Sequence, residues 1–212
     1  MDNDVIIFFR DKRSESTQGD HMQELKERIV REGRVLPGNI IKVDGFLNHR
    51  IDTTLMSHIA DEFGKHFNMD EVSVILTAEA SGIALSAVVA QRFGKPMVFA
   101  KKAKSDNIEG GVYRSDVYSY TYKKKVTLLV AQDWLCADDK VLIIDDFMAN
   151  GEAMRGLIDI VSAAGATLVG IGCAVEKGFQ GGGDRLRAAG FNLKSLAIIE
   201  SAEPGNIVFR ED

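Results

Sequence analysis

From about residue 70 to the C-terminus, short runs of Val, Ile and Leu alternate with segments of helical period. This rhythm constrains the fold more than any other feature of the chain. VSVILTA (72–78), PMVFA (96–100), KVLIIDDF (140–147), TLVGIGCAVEK (167–177), LKSLAIIE (193–200) and NIVFRE (206–211) are apolar runs of strand length. Helical patterns over 81–94, 151–165 and 182–190 fall between them. A strand whose apolar residues are nearly continuous is buried on both faces, so it needs cover above and below. The pattern therefore predicts an α/β chain with an open, mainly parallel sheet flanked by helices. Ahead of the sheet, MQELKERIVREG, from Met22, sets Leu25 and Ile29 on one face and ends at Gly33, which predicts a helix; another is expected over 52–67.

Two stretches break the rhythm. Residues 33–50 (GRVLPGNIIKVDGFLNHR) lie between helices and contain Pro37, Gly38 and Gly45 with short strand-like pieces. Residues 101–125 are a long polar insertion with seven basic and three acidic residues, net +4. A long irregular segment in a compact domain is commonly a mobile lid or binding loop, with a solvated hairpin as the plainer alternative. Residues 1–21 are expected to be a leader, tail or expression remnant, with an edge strand at Val5–Phe9 as the alternative. The single domain is then 22–212.

Charge and composition remove several classes. The formal net charge is −5, which argues against a broad nucleic-acid footprint. Cys136 and Cys173 stand apart and in no ligand cluster, which excludes a disulfide scaffold and a structural zinc site and fits the cytoplasm. No apolar run approaches the roughly 18 residues of a membrane span. The four histidines, His21, His49, His58 and His66, show neither triad partners nor metal spacing.

The chemistry concentrates in VLIIDDFMANGEAM (141–154). Four apolar residues end in Asp145-Asp146, and Gly151 opens a helix five residues later. At the carboxyl end of a strand in an open α/β sheet, such residues stand at a ligand crevice. Adjacent carboxylates suit sugar hydroxyls or a hydrated metal ion. The following loop and helix start aim N–H groups at one point, a pocket for a phosphate. A diol beside a phosphate describes a ribose 5-phosphate. The plainer reading is an Asp at a strand end with an exposed neighbour. No Walker-type G-x-x-x-x-G-K-[ST] and no G-x-G-x-x-G after the first strands is present.

At this motif the chain resembles the type I phosphoribosyltransferases. IIKVDGFLNH, EASGIA, DDFMANGEA and VEKGFQ fall in the order and spacing of the bacterial xanthine branch, over about Met22–Asp212. The broader family carries threonines ahead of the loop glycine where this chain has Ala149-Asn150, a variant similar to the xanthine branch. The resemblance implies the type I fold with a small hood, formed by about 33–50 and the C-terminal strands. It implies transfer of the 5-phosphoribosyl group of phosphoribosyl pyrophosphate (PRPP) to xanthine in purine salvage, with Mg2+ held mainly by PRPP and water near Asp145 and Asp146. Those two residues would hold the ribose hydroxyls, and Ala149, Asn150, Gly151, Glu152 and Ala153 the 5′-phosphate. Glu79, Ala80, Ser81 and Gly82 would form the pyrophosphate turn, although Ser81 reads equally as a helix cap. Lys101 and Lys102, with Lys104, would bring cations beside the leaving group as the lid closes. Lys177 would contact the 6-oxo side of the base, and Asn48 and Ile41 its 2-oxo edge and ring face. Phe147 and Phe179 are candidates for stacking. A homodimer, with neither nucleic acid nor membrane as partner, is expected. Alternatives are a guanine/hypoxanthine or adenine phosphoribosyltransferase, or a PRPP-sensing regulator without catalysis.

Overall fold

The computed structural model describes residues 21–102, 111–119 and 124–211. Lys104 and residues 1–20, including Val5–Phe9, lie outside the described residues. His21 is the first residue of α1 (His21–Glu32), one position ahead of the expected start. A small hairpin follows, β1 (Arg34–Leu36) and β2 (Ile40–Lys42), then a π-helical turn over Asp44–Asn48. This is the structure of the stretch expected to form the hood. The helix α2 (Thr53–His66) is capped by Asp52, whose side chain accepts the Leu55 N–H at 3.1 Å.

The main chain of the fold is β3 (Val74–Ala78), α3 (Gly82–Phe93), β4 (Met97–Ala100), β5 (Val112–Ser119), β6 (Lys124–Ala131), β7 (Lys140–Met148), α4 (Glu152–Ala163), β8 (Thr167–Lys177), α5 (Gly182–Ala188), β9 (Leu193–Glu203) and β10 (Asn206–Phe209). Six strands make one sheet in the order β10-β9-β8-β7-β3-β4, with only the β9–β10 pair antiparallel. The expectation of a mainly parallel sheet is met. From β3 the chain moves to one edge, and from β7 it moves the other way. The two directions part between β3 and β7, and the carboxyl ends of those two strands therefore frame the ligand crevice.

Alternating residues of one strand serve two cores. Leu142 and Ile144 join the cluster built with α1, α2 and α3, including Leu25, Ile59, Phe63 and Leu85. Val141 and Ile143 join the cluster of the opposite face, with Met154, Leu157 and Ile160 of α4. Burying a side chain of this kind contributes about 1.5–3 kcal/mol, so both layers grip the strand that ends in the aspartates.

Of the two readings of the insertion, the described residues show the hairpin, but packed on the core and not merely solvated. Residues 112–119 and 124–131 are the two strands of an antiparallel hairpin, in register from Val112↔Ala131 to Ser119↔Lys124. Val117, Leu128 and Val130 are buried against the α4 face of the sheet. The apolar residues of the hairpin lie mostly in VTLLVA, beyond the polar segment whose charge dominates a reading by composition. Lys101, expected at the start of a mobile lid, is held to β6: its N–H donates to the Leu129 carbonyl at 2.9 Å and its carbonyl accepts the Leu129 N–H at 3.0 Å.

Candidate active site

Asp145 and Asp146 end the apolar run of β7 and are 7% and 1% exposed. The Asp146 N–H donates to Asp145 Oδ1 at 3.0 Å. Burial, and the charge of Asp146 beside it, push the Asp145 carboxyl well above the ordinary carboxylate range. A Cβ at Gly82 would lie 2.4 Å from Asp145 Oδ1 and 2.3 Å from Thr77 Oγ1. The first residue of α3 thus has no side chain because the aspartate needs that space. Among the described residues buried Thr77 Oγ1 has no hydrogen-bond partner, so a polar atom waits beside the carboxylate.

The turn Glu79–Gly82 follows β3 and includes a cis peptide between Glu79 and Ala80. The Ser81 side chain makes no capping bond to α3, so the cap reading does not describe it. Glu79 accepts the backbone N–H of Lys102, tying this turn to the chain leaving β4. On the other side, Gly151 adopts φ 78° and starts α4. The first N–H groups of that helix have no intrahelical acceptors. The Glu152 carboxylate is turned to the hairpin, accepting from the Tyr118 N–H at 3.3 Å and Arg155 Nη2 at 3.1 Å.

Between these elements lies a cavity of about 220 Å³, lined by Ser81, Lys102, Asp145, Phe147, Ala149–Ala153 and hairpin residues such as Val117 and Leu128. Larger hollows of about 620 and 710 Å³ lie at the β4 edge and beside α1 and β10, and neither reaches the paired aspartates. The site is picked out by its chemistry, not its size.

Residues 50–185 match the phosphoribosyl transferase domain. The chain belongs to the phosphoribosyltransferase family. Among its curated relatives, the xanthine phosphoribosyltransferase of Bifidobacterium longum (strain NCC 2705) is 55% identical over 192 residues, which cover 89% of this chain and 100% of that protein. That of Lachnoclostridium phytofermentans is 51% identical, over 90% of this chain and 100% of the relative. In architecture the chain is similar to the adenine phosphoribosyltransferase of Saccharomyces cerevisiae, with a TM-score of 0.69 at 19% identity over 83% of this chain and 98% of that one. That likeness shows the type I phosphoribosyltransferase fold alone.

Within this family fold, most of the residues expected at the sugar phosphate line one cavity, while the expected base residues Ile41, Asn48 and Lys177 do not line it, although Asn48 and Lys177 adjoin it. Asn48 Nδ2 donates to Asp146 Oδ2 at 2.9 Å, joining the turn before α2 to β7. Lys177, at the end of β8, donates to the Asn39 carbonyl at 3.0 Å, and its ammonium lies 5.4 Å from the centre of the Phe147 ring. Burial lowers the Lys177 pKa from that of a free lysine. Ile41 is 7% exposed and packed in the core, whereas its neighbour Ile40 is 51% exposed. Phe147 lines the cavity, and Phe179 packs on the core. Lys101 borders the hollow at the β4 edge, so of the two expected lysines only Lys102 lines the site cavity.

Two features escape the sequence reading. One is Gly182, where a Cβ would lie 2.3 Å from the Ala149 carbonyl oxygen and 2.7 Å from the Gly151 nitrogen. The run Gly181–Gly183 is the signal that two backbones approach closely here. The other is the meeting of His21, Glu24 and His58, whose ligand atoms lie within 4.8 Å of one another. The two rings stack at 4.4 Å with only 14° between planes, so their lone pairs run in near-parallel sheets and do not converge on one ion.

Proposed function

We propose that the chain transfers the 5-phosphoribosyl group of PRPP to xanthine, giving xanthosine 5′-monophosphate and pyrophosphate in purine salvage. The 55% identity to a xanthine phosphoribosyltransferase along that protein's whole length carries this reading. Asp145 and Asp146 accept from the ribose hydroxyls. The backbone N–H groups of residues 149–153 hold the 5′-phosphate, and Ser81 and Gly82, with Lys102, hold the pyrophosphate. In the transfer the C1–O bond breaks with its electrons leaving on pyrophosphate, and a purine nitrogen gives its electron pair to C1 as its proton is lost. The aspartates face the positive charge that develops on the sugar, an electrostatic contribution that needs no protein nucleophile.

The donor set fits Mg2+: two adjacent buried carboxylates, one of them pushed above the ordinary carboxylate range by burial and then by its neighbour's charge, are the oxygen ligands and charge crowding that a hard divalent ion relieves. Bound with PRPP and water near Asp145 and Asp146, it would neutralise charge on the diphosphate. Xanthine presents oxo groups at both ends, so its site needs donors. Lys177 suits the 6-oxo side and Asn48 the 2-oxo edge, each after exchanging its present acceptor, the Asn39 carbonyl and the Asp146 carboxylate. Ile41 contributes by backing the hood. A homodimer in the cytoplasm, without nucleic acid, completes the reading. Among the described residues no helix is long and apolar enough to cross a membrane.

The test supplies PRPP and Mg2+ with xanthine, guanine, hypoxanthine or adenine and follows nucleotide formation. Xanthine should be preferred, and a better rate with guanine or adenine rejects the assignment. Lys177→Ala should raise KM for xanthine by about tenfold or more while leaving KM for PRPP near its original value, the loss of one charged hydrogen bond to the base. Equal changes in both constants would remove Lys177 from the base site.

A further inference from the structure

A loop that binds a phosphate through its N–H groups must keep its carbonyl oxygens turned away, and something must hold them there. Behind residues 149–151 stands the turn Gly181–Gly183. Gly182 fits against the Ala149 carbonyl and the Asn150–Gly151 peptide so closely that a Cβ would lie 2.3–2.7 Å from those atoms. One turn on, Arg185 spans the gap: Nη2 donates to the Asn150 carbonyl at 3.0 Å and Nη1 to the Gln180 carbonyl at 3.4 Å.

The partners of the neighbouring arginines set Arg185 apart. Arg155 is paired with Glu152 and Asp159, Arg187 with buried Glu176 at 2.7 Å, and Arg210 with Asp184 and Glu200. Among the described residues Arg185 has no such ion pair, and its partners are the two carbonyls. Among the described residues no carboxylate is in direct contact with it, although its charge still acts on Glu152, and it stands one peptide from the N–H groups that open α4. A fixed cation in this place favours an anion in the pocket, where the loop and helix start already point positive ends.

We propose that Arg185 is a positioning residue for the 5′-phosphate. It holds the Asn150 carbonyl out of the pocket, so that the N–H groups of the loop point inward, and it places a guanidinium charge beside the bound anion. The proposal rests on the assignment of residues 149–153 to the 5′-phosphate.

Calorimetry on the full chain, with ribose 5-phosphate and with magnesium pyrophosphate as separate probes, distinguishes this role from general support of the fold. Arg185→Ala should weaken ribose 5-phosphate by about tenfold and raise KM for PRPP comparably, as expected for one charge-assisted hydrogen bond. Pyrophosphate affinity and KM for xanthine should stay within about twofold. Arg185→Lys, which keeps the charge, and Arg185→Gln, which keeps a planar donor, should each recover part of the loss. Unchanged ribose 5-phosphate affinity in Arg185→Ala, or an equal fall for pyrophosphate, overturns the proposal. Ribose 5-phosphate binding that depends on Arg185, in a chain that transfers the phosphoribosyl group of PRPP to no base, supports the proposal and rejects the transferase activity.

Discussion

Asp145 is held where a charged carboxylate is disfavoured, under α3, against Gly82 and next to Asp146. Its carboxyl is pushed up by burial first and by the neighbouring charge second. A group whose pKa is higher in the folded chain stabilises the fold most at low pH, and that contribution is lost as pH rises through the folded value. At neutral pH the residue is therefore retained at the expense of stability. Asp145→Asn keeps an oxygen for the Asp146 N–H and removes the ionisable group. Its melting temperature at pH 7 should rise by about 2–4 °C, the shift roughly 1 kcal/mol produces in a chain of this size, while turnover collapses. The gap between variant and parent should close toward pH 4. A variant that melts lower than its parent at every pH would show that the carboxylate is structurally favourable.

At the scale of elements, the hairpin β5–β6 and the helix α4 depend on each other. Gly156 of α4 faces the hairpin, and a Cβ there would lie 2.5 Å from Val117 Cγ1 and 2.8 Å from Leu128 Cδ1. Ser115 and Arg155 add polar ties, Ser115 Oγ donating to Asp159 at 2.7 Å and Arg155 Nη2 to the Asp116 carbonyl at 3.0 Å. Because Val117 and Leu128 also line the site cavity, the hairpin forms one wall of the crevice. Gly156→Ala should lower stability by about 1–3 kcal/mol through overpacking, read from urea unfolding. KM for PRPP should rise with it, since the wall moves. A stable variant with unchanged KM would mean that the hairpin is not a wall of the working site. Here the sequence misleads for a physical reason. The charges of 101–125 describe a solvated surface, but the apolar partners that bury the hairpin lie beyond that segment and on another element.

At the scale of the molecule, a chain of net charge −5 has to bind a polyanion. Local N–H donors, a helix start, Lys102 and Arg185 concentrate positive potential at one crevice, close to the ligand and little screened by salt. Raising salt from about 0.05 to 0.3 M should therefore change KM for PRPP by less than about threefold at fixed free Mg2+. A much steeper rise would assign the attraction to the diffuse lysines of the 101–125 segment. The sequence by itself determined the strand–helix alternation, the parallel sheet, the aspartate pair, the glycine-led loop before α4 and the family, because each is carried by neighbours along the chain. The tertiary structure decided the sheet order that brings the ends of β3 and β7 together. It also decided which lysine enters the cavity, that Asn48 meets Asp146 from 98 residues away, and that α5 backs the loop. These are contacts between distant segments, and they follow from which faces pack on the sheet, which no local pattern encodes.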